Sequence, residues 1–89
     1  MNDDAFRQRL QHEGYAEIER RGMAENESRA EHAHHFDVAA LVTAGAITLT
    51  CEGRARTYRA GDTFTMAAGT LHAEDVGPDG VEYIVGRRH

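Results

Sequence analysis

The chain has 89 residues, 40% of them hydrophobic, so it can form one domain with a modest core. Metal binding or dimerisation would help to stabilise a domain of this size. Its net charge of −5 and its scattered arginines argue against nucleic-acid binding, which needs a basic face. Because no apolar run is long enough for a membrane span or resembles a signal peptide, we expect a cytoplasmic protein without membrane contact.

The first predicted element is a helix from Asp3 to Glu13. An aspartate at its start can cap the N-terminus, and Phe6 and Leu10 have the i, i+4 spacing of one helix face. Gly14 then ends the helix, in the position where glycine is favoured. The helix is short, so we expect it to pack outside the main body of the protein.

The rest of the chain has the pattern of short strands separated by turn residues. The predicted strands are Ala16–Arg20, Asp37–Thr43, Ile47–Cys51, Arg56–Arg59, Thr63–Met66 and Val81–Val85. The strongest turn signal is residues 77–80, Gly-Pro-Asp-Gly, because proline restricts one dihedral angle and glycine permits positive φ. Short strands without intervening helices predict an all-β fold, a barrel over residues 15–89 that follows a helical segment over residues 1–14.

Histidines are concentrated in two short stretches, one with His32, His34 and His35 and the other with His72. Residues i and i+2 of a strand face the same side about 7 Å apart, so two imidazoles can converge on one ion. A third histidine from a neighbouring strand would complete a three-nitrogen face with open positions, which suits catalysis. Alone, a His-X-His pair is a weak signal, because a solvated histidine cluster has the same pattern.

The residues around these histidines resemble the two motifs of the cupin superfamily. The first motif is Gly-x5-His-x-His-x3,4-Glu-x6-Gly, and the residues in register with it are His32, His34 and Gly45. The second is Gly-x5-Pro-x-Gly-x2-His-x3-Asn, and the residues in register with it are Gly61, Gly69 and His72. The resemblance covers about residues 26–76 and implies a small cupin barrel of the jelly-roll type.

Several positions depart from the motifs. Asn26 replaces the leading glycine, which is a mild change because asparagine tolerates left-handed backbone geometry. Ala67 and Val76 replace the proline and the asparagine of the second motif. The departure that matters most for chemistry is Val38, which lies where the first motif has its carboxylate ligand.

The resemblance implies one divalent metal ion (Fe, Mn, Ni or Zn) held by the three histidines in register. Three other residues could complete the coordination. Asp37 would need a local bulge to point inward, and His35 would have to turn in from an outward position. Glu74 would share the face of His72 on a regular strand, or would be an exposed charge near the barrel mouth. A metal-free barrel, with the histidines as polar residues around a pocket, is the alternative.

A small barrel can hold one small ligand, and alternate side chains should line its interior. The apolar and aromatic candidates for this lining are Phe36, Leu41, Phe64, Met66 and Tyr83. Each of them can equally serve as ordinary core packing. Tyr83 differs from the others because its hydroxyl must find a partner if it is buried.

Two classes of function follow from the resemblance. The first is a metal-dependent enzyme, of the oxygenase or isomerase type, that acts on a small molecule. The missing carboxylate ligand and the lack of a compelling acid–base residue argue against it. The second is a non-catalytic module that binds a small ligand or regulates, and the fold alone does not choose between them. We also expect a homodimer, which would cover exposed edge strands.

Overall fold

The computed structural model describes residues 1–89 and consists mainly of β-structure, with 62% of the residues in strands. Its elements are α1 (Asp3–His12), β1 (Ala16–Met23), β2 (Ser28–His32), β3 (Asp37–Cys51), β4 (Arg54–Arg59), β5 (Thr63–Met66) and β6 (His72–Arg88). The predicted all-β class and the short N-terminal helix are confirmed. No helix of the protein has the length and the apolar character needed to cross a membrane.

Helix α1 begins at Asp3 as predicted, but its cap lies one residue before the predicted one. Asn2, and not an aspartate, is the N-cap, and its side-chain oxygen accepts a 2.7 Å hydrogen bond from the backbone N–H of Ala5. Asparagine has this role at helix starts because its side chain satisfies one of the free N–H groups of the first turn. Phe6 and Leu10 are each 1% exposed, so the face predicted from their spacing is the one that packs against the sheet.

Two long strands, β3 and β6, organise the sheet. They pair with each other in antiparallel fashion over most of their length. The first half of β6 also pairs with β2 and its second half with β1, while β3 also pairs with β5 and β4. The result is one six-stranded sheet, bent but not closed, which is consistent with the predicted cupin jelly roll.

The sheet carries a separate hydrophobic cluster on each of its two faces. The outer face packs against α1, and its buried cluster is Phe6, Leu10, Tyr15, Ala39, Leu41 and Ile84. The inner face encloses the buried cluster Met23, Val42, Ile47, Leu49, Val76 and Val81. Because side chains alternate along a strand, Leu41 and Val42 lie on opposite faces. The expectation that Leu41 lines the interior is therefore wrong, and Val42 occupies that side instead.

The predicted turn at residues 77–80 lies inside β6 instead of separating two strands. Gly45 pairs with Val81 and Ile47 pairs with Val76, so the four residues 77–80 oppose the single residue Ala46 of β3. Such an excess on one strand is a bulge, which bends the sheet and increases its twist. The two strands predicted over residues 37–51 are likewise one continuous strand, β3, which also has a register shift at this bend.

Gly45 and Gly80 let the two long strands approach closely at the bulge. Gly45 has φ +73°, and a Cβ atom placed on it would lie 2.0 Å from the carbonyl oxygen of Gly80. That separation is far below any van der Waals contact, and the neighbour is backbone, which cannot move aside as a flexible side chain could. The glycine of the first motif is therefore required by packing as well as by its dihedral angle.

We expect Gly45→Ala to destabilise the fold more than Gly53→Ala does. Gly53 is a matched control because its φ is similar, +77°, and no atom lies within 4 Å of a Cβ placed on it. The control should lose about 1–2 kcal/mol through backbone strain alone. The clash with Gly80 should cost about 1–3 kcal/mol more. Urea unfolding of both variants measures the difference, and equal losses would contradict the close approach.

Candidate metal centre

His32, His34 and His72 converge at one end of the inner face. His32 is the last residue of β2 and His72 the first of β6, and the two are direct cross-strand partners. His34 lies two residues beyond the end of β2. The nearest ring centroids, those of His32 and His72, are 4.4 Å apart, and the ligand atoms of all three histidines lie within 4.8 Å of one another.

Backbone carbonyls determine how two of these rings present their nitrogens. The Nδ1 atom of His32 lies 2.8 Å from the carbonyl oxygen of Ala30, and the Nδ1 atom of His72 lies 2.9 Å from that of Thr70. A carbonyl oxygen only accepts hydrogen bonds, so each Nδ1 carries the proton and donates it. The lone pair is then on Nε2, and this is the usual outer-shell arrangement of a metal-binding histidine.

Two polar atoms at this end of the inner face are buried without a partner. The side-chain atoms concerned are Nε2 of His72 and Oε2 of Glu74. His72 is 1% exposed, so water does not readily satisfy its nitrogen. Leaving a buried acceptor unpaired costs about 1–3 kcal/mol. A divalent cation would satisfy both acceptors, so the donor set fits a metal ion.

Glu74 lies beside the histidines because it shares the face of His72 on β6. Its Oε2 atom is 3.4 Å from Nε2 of His32, and its side chain is only 13% exposed. Two ligands of one four-coordinate ion at about 2.1 Å are about 3.4 Å apart, so this distance is compatible with shared coordination. The alternative of an exposed charge at the barrel mouth is wrong for this side chain.

The surroundings of His34 favour its neutral form. Partial burial, followed by the nearby His72 and His32, lowers the pKa of His34 below its ordinary value of 6.5. A metal binds the neutral imidazole, so a lowered pKa leaves this ring available as a ligand at lower pH.

Asp37 and His35, two of the residues that could have completed the coordination, do not join the cluster. Asp37 faces the outer side of the sheet, where its carboxylate accepts hydrogen bonds from the backbone N–H of Ala68 and from Arg88. No bulge turns it inward, because β3 keeps regular pairing with β5 from Val38 onward. His35 is exposed and lies outside the group of three.

A cavity of about 80 Å³ opens beside the histidines on the inner face. The predicted lining residues Phe36, Phe64, Met66 and Tyr83 all border it, and so do Val38 and Glu74. Val38 is thus part of an apolar wall at the position where the motif has a carboxylate. The sequence did not indicate three further lining residues, Arg21, Arg29 and Arg87, because they are far apart in the chain.

Tyr83 contributes its ring to the inner cluster and borders the cavity. Burial, and then the charge of Glu74, raise the pKa of Tyr83 above its ordinary value of 10.0. The phenol therefore stays protonated at neutral pH and offers a hydrogen-bond donor to the cavity.

Comparison with known proteins identifies the family. The sequence model of one family, described as the AraC-like ligand binding domain, matches residues 14–85. The chain belongs to this cupin-type family. The matched region includes the three converging histidines and all the lining residues of the cavity except Arg87, and it excludes the whole of α1. No curated protein shows significant similarity to the sequence.

Solved structures support the same fold for this cupin domain. A protein of unknown function from Rhizobium leguminosarum superposes with a TM-score of 0.75 at 17% identity, covering 80% of this chain and 67% of its own. A cupin-2 domain protein from Shewanella frigidimarina has a TM-score of 0.70 at 14% identity, with 85% and 72% covered. KdgF from Halomonas sp. has a TM-score of 0.64 at 19% identity, with 84% and 87% covered. At these identities the likeness shows the fold alone.

We expect the Asp37 contacts to make stability depend on acid pH. The hydrogen bond from Ala68, followed by that from Arg88, lowers the pKa of Asp37 below its ordinary value of 3.8. A carboxyl with a lowered folded pKa stabilises the fold above its unfolded pKa, and this contribution is lost as pH falls through the folded value.

Asp37→Asn should therefore lower the Tm at neutral pH, and its difference from the native protein should shrink below about pH 4. Asp79→Asn, an exposed position on β6, is the control and should show little effect at any pH. Thermal unfolding followed by circular dichroism across this range measures both. A difference for Asp37→Asn that is as large in acid as at neutral pH would contradict the interpretation.

Proposed function

We propose that this cupin domain binds one divalent metal ion through His32, His34 and His72 and presents it to a small molecule in the adjoining cavity. The observation that carries the proposal is the buried Nε2 atom of His72, which has no partner while its Nδ1 atom donates to a carbonyl. A histidine that is oriented in this way, beside two other histidines, is typical of the sites that bind first-row transition metals.

Glu74 is our candidate for the carboxylate ligand that Val38 does not supply. Its buried, unpartnered Oε2 atom supports this role, as does its 3.4 Å distance from His32. Three imidazoles and one carboxylate suit Fe(II), Mn(II), Ni(II) or Zn(II). In this arrangement the carboxylate comes from β6, the strand of His72, instead of from β3.

The position of the cavity supports a metal-dependent enzyme of the oxygenase or isomerase type. His34 and Glu74 both border the cavity, so a molecule in it would lie against the candidate ligands. When bound, a divalent ion supplies Lewis-acid or redox chemistry at its open positions. Tyr83 would provide a protonated hydroxyl to the same molecule, and the apolar wall with Val38 and Met66 would exclude water around it.

A non-catalytic ligand-binding or regulatory domain is the second candidate. The match to an AraC-like ligand binding domain favours it, since the family description names binding and no reaction. Turnover separates the two candidates. An enzyme would convert a bound small molecule when loaded with metal, whereas a binding domain would release it unchanged. The cytoplasmic location and the homodimer inferred from the sequence stay predictions.

We expect the native protein to bind about one divalent ion per chain and His72→Ala to bind none, because the buried nitrogen supplies a ligand from the centre of the cluster. The measurement is elemental analysis after overnight dialysis against Zn(II) and gel filtration. Metal removal by a chelator should also lower the Tm of the native protein, because the ion stabilises only the folded state.

His35→Ala is the matched control, because it removes a neighbouring but exposed histidine outside the cluster. It should keep its metal and its Tm. Far-UV circular dichroism establishes that His72→Ala is folded, and His34→Ala is a second test at a less buried ligand. Full metal content in folded His72→Ala and His34→Ala would rule out the site.

Glu74→Gln tests the fourth ligand separately. The substitution keeps the shape of the side chain and removes its charge, so we expect metal affinity to fall about 10–100-fold with little change of fold. Competition with a chromogenic chelator measures the affinity. The comparison variant is Glu82→Gln, an exposed position on the same strand, which should bind metal like the native protein. Unchanged affinity in Glu74→Gln would remove Glu74 from the coordination.

A further inference from the structure

We propose that the cavity takes a small organic carboxylate, whose charged group is bound by Arg21, Arg29 and Arg87. This inference rests on the proposed function, because it names the class of molecule that would lie beside the metal. The arginines are not among the candidate metal ligands, so the two ideas can fail separately.

Strand register directs two of the arginines to the cavity. Arg29 on β2 is the cross-strand partner of Glu74, and Arg21 on β1 is the cross-strand partner of Tyr83. Directly opposed residues in antiparallel strands share a face of the sheet. Since Glu74 and Tyr83 border the cavity, the two arginines face it as well.

Arg87 reaches the cavity from the end of β6 and is held in place by an aromatic ring. Its guanidinium carbon lies 4.7 Å from the centroid of the Phe36 ring, which is a cation–π contact. Phe36 also stacks against His34 with a centroid distance of 4.9 Å. A guanidinium is thus positioned one aromatic ring away from the candidate metal ligands.

The charge around the cavity is unusual for this protein. The lining residues include three arginines and only one acidic side chain, that of Glu74. The chain as a whole has 15 acidic and 10 basic residues, so three arginines beside one cavity are a local concentration of basic side chains, each paired with a glutamate that is not among the lining residues. Small barrels normally fill their interior with packed side chains, so a concentration of guanidinium groups beside a cavity fits a site for an anionic ligand.

The arginines keep donors available for such a ligand. Each is paired with a single exposed or half-exposed glutamate: Arg21 with Glu19, Arg29 with Glu27 and Arg87 with Glu17. Ion pairs of this exposure contribute little to stability, so a ligand can compete with them. Arg29 uses only its Nε atom, at 3.4 Å, and Arg87 only one Nη atom, at 3.3 Å. The remaining N–H groups of Arg29 and Arg87 can form a bidentate contact, whereas Arg21 binds Glu19 through both Nε and Nη2 and keeps Nη1 for a ligand.

A carboxylate matches these donors and the size of the cavity. The planar guanidinium binds a carboxylate through two parallel hydrogen bonds, which a neutral hydroxyl or amide cannot accept with the same strength. The volume of about 80 Å³ admits only a short molecule. Val38, Ile47 and Met66 would contact its carbon chain, and its far end would point to the histidines.

The test compares short acids with their neutral amides on the Zn(II)-loaded protein. Isothermal titration calorimetry with lactate, malate and succinate should show binding of at least one acid, and no binding of lactamide, malamide or succinamide. Arg29→Gln and Arg21→Gln should each weaken that acid about tenfold or more, since a hydrogen bond to a charged group is lost. Arg54→Gln, an exposed arginine at the start of β4, should bind the acid like the native protein.

Several results would overturn the inference. These are equal binding of acid and amide, no binding of any acid, or arginine variants that bind like the native protein. Sulfate that binds as tightly as the best acid would show a general anion site instead of a carboxylate site. The metal content of each sample separates the two proposals. If the protein takes up no metal but binds an acid through its arginines, the result supports this inference and refutes the metal site. If the protein is loaded with metal but binds no acid, the result refutes this inference alone.

Discussion

The backbone pairing of β6 with three other strands is the constraint on which the rest of the structure depends. Antiparallel pairing sets which residues stand opposite each other, and side-chain alternation then assigns each one to a face. Through β2 it places His32 opposite His72, and through β1 it places Arg21 opposite Tyr83. Its outer residue Ile84 packs with the helix. A shift of one residue in this register would turn the side chains of His72, Glu74 and Tyr83 to the opposite face of the sheet together.

The bulge in β6 lets a single strand serve both ends of the sheet. Four residues of β6 oppose one residue of β3, so the strand bends where Gly45 and Gly80 come close. Before the bend, β6 carries His72 and Glu74 and pairs with β2. After the bend it carries Tyr83 and Arg87 and pairs with β1. Glu74 from one half of this strand and Tyr83 and Arg87 from the other half therefore border the same cavity.

Residue spacing carried much of the information about the fold and the histidines. The helix face of Phe6 and Leu10 could be predicted because both lie on a local 3.6-residue repeat. The cupin fold could be predicted because its motif histidines and glycines keep their register, and Asn26 does adopt the left-handed φ, +58°, expected where the motif has glycine. The turn predicted at residues 77–80 failed because proline and glycine signal a change of chain direction, and a bulge within a strand produces the same signal.

By itself, the sequence determined the class of fold, the helix face and the identity of the three histidines, because each depends on spacing along the chain. Only the tertiary structure decided which carboxylate accompanies them. Asp37 is next to the motif position but faces outward, whereas Glu74 faces inward because it shares the parity of His72. The tertiary structure alone also brought together Arg21, Arg29 and Arg87, which the sequence shows only as scattered charges. Their convergence depends on cross-strand register, a long-range property that no local pattern of residues records.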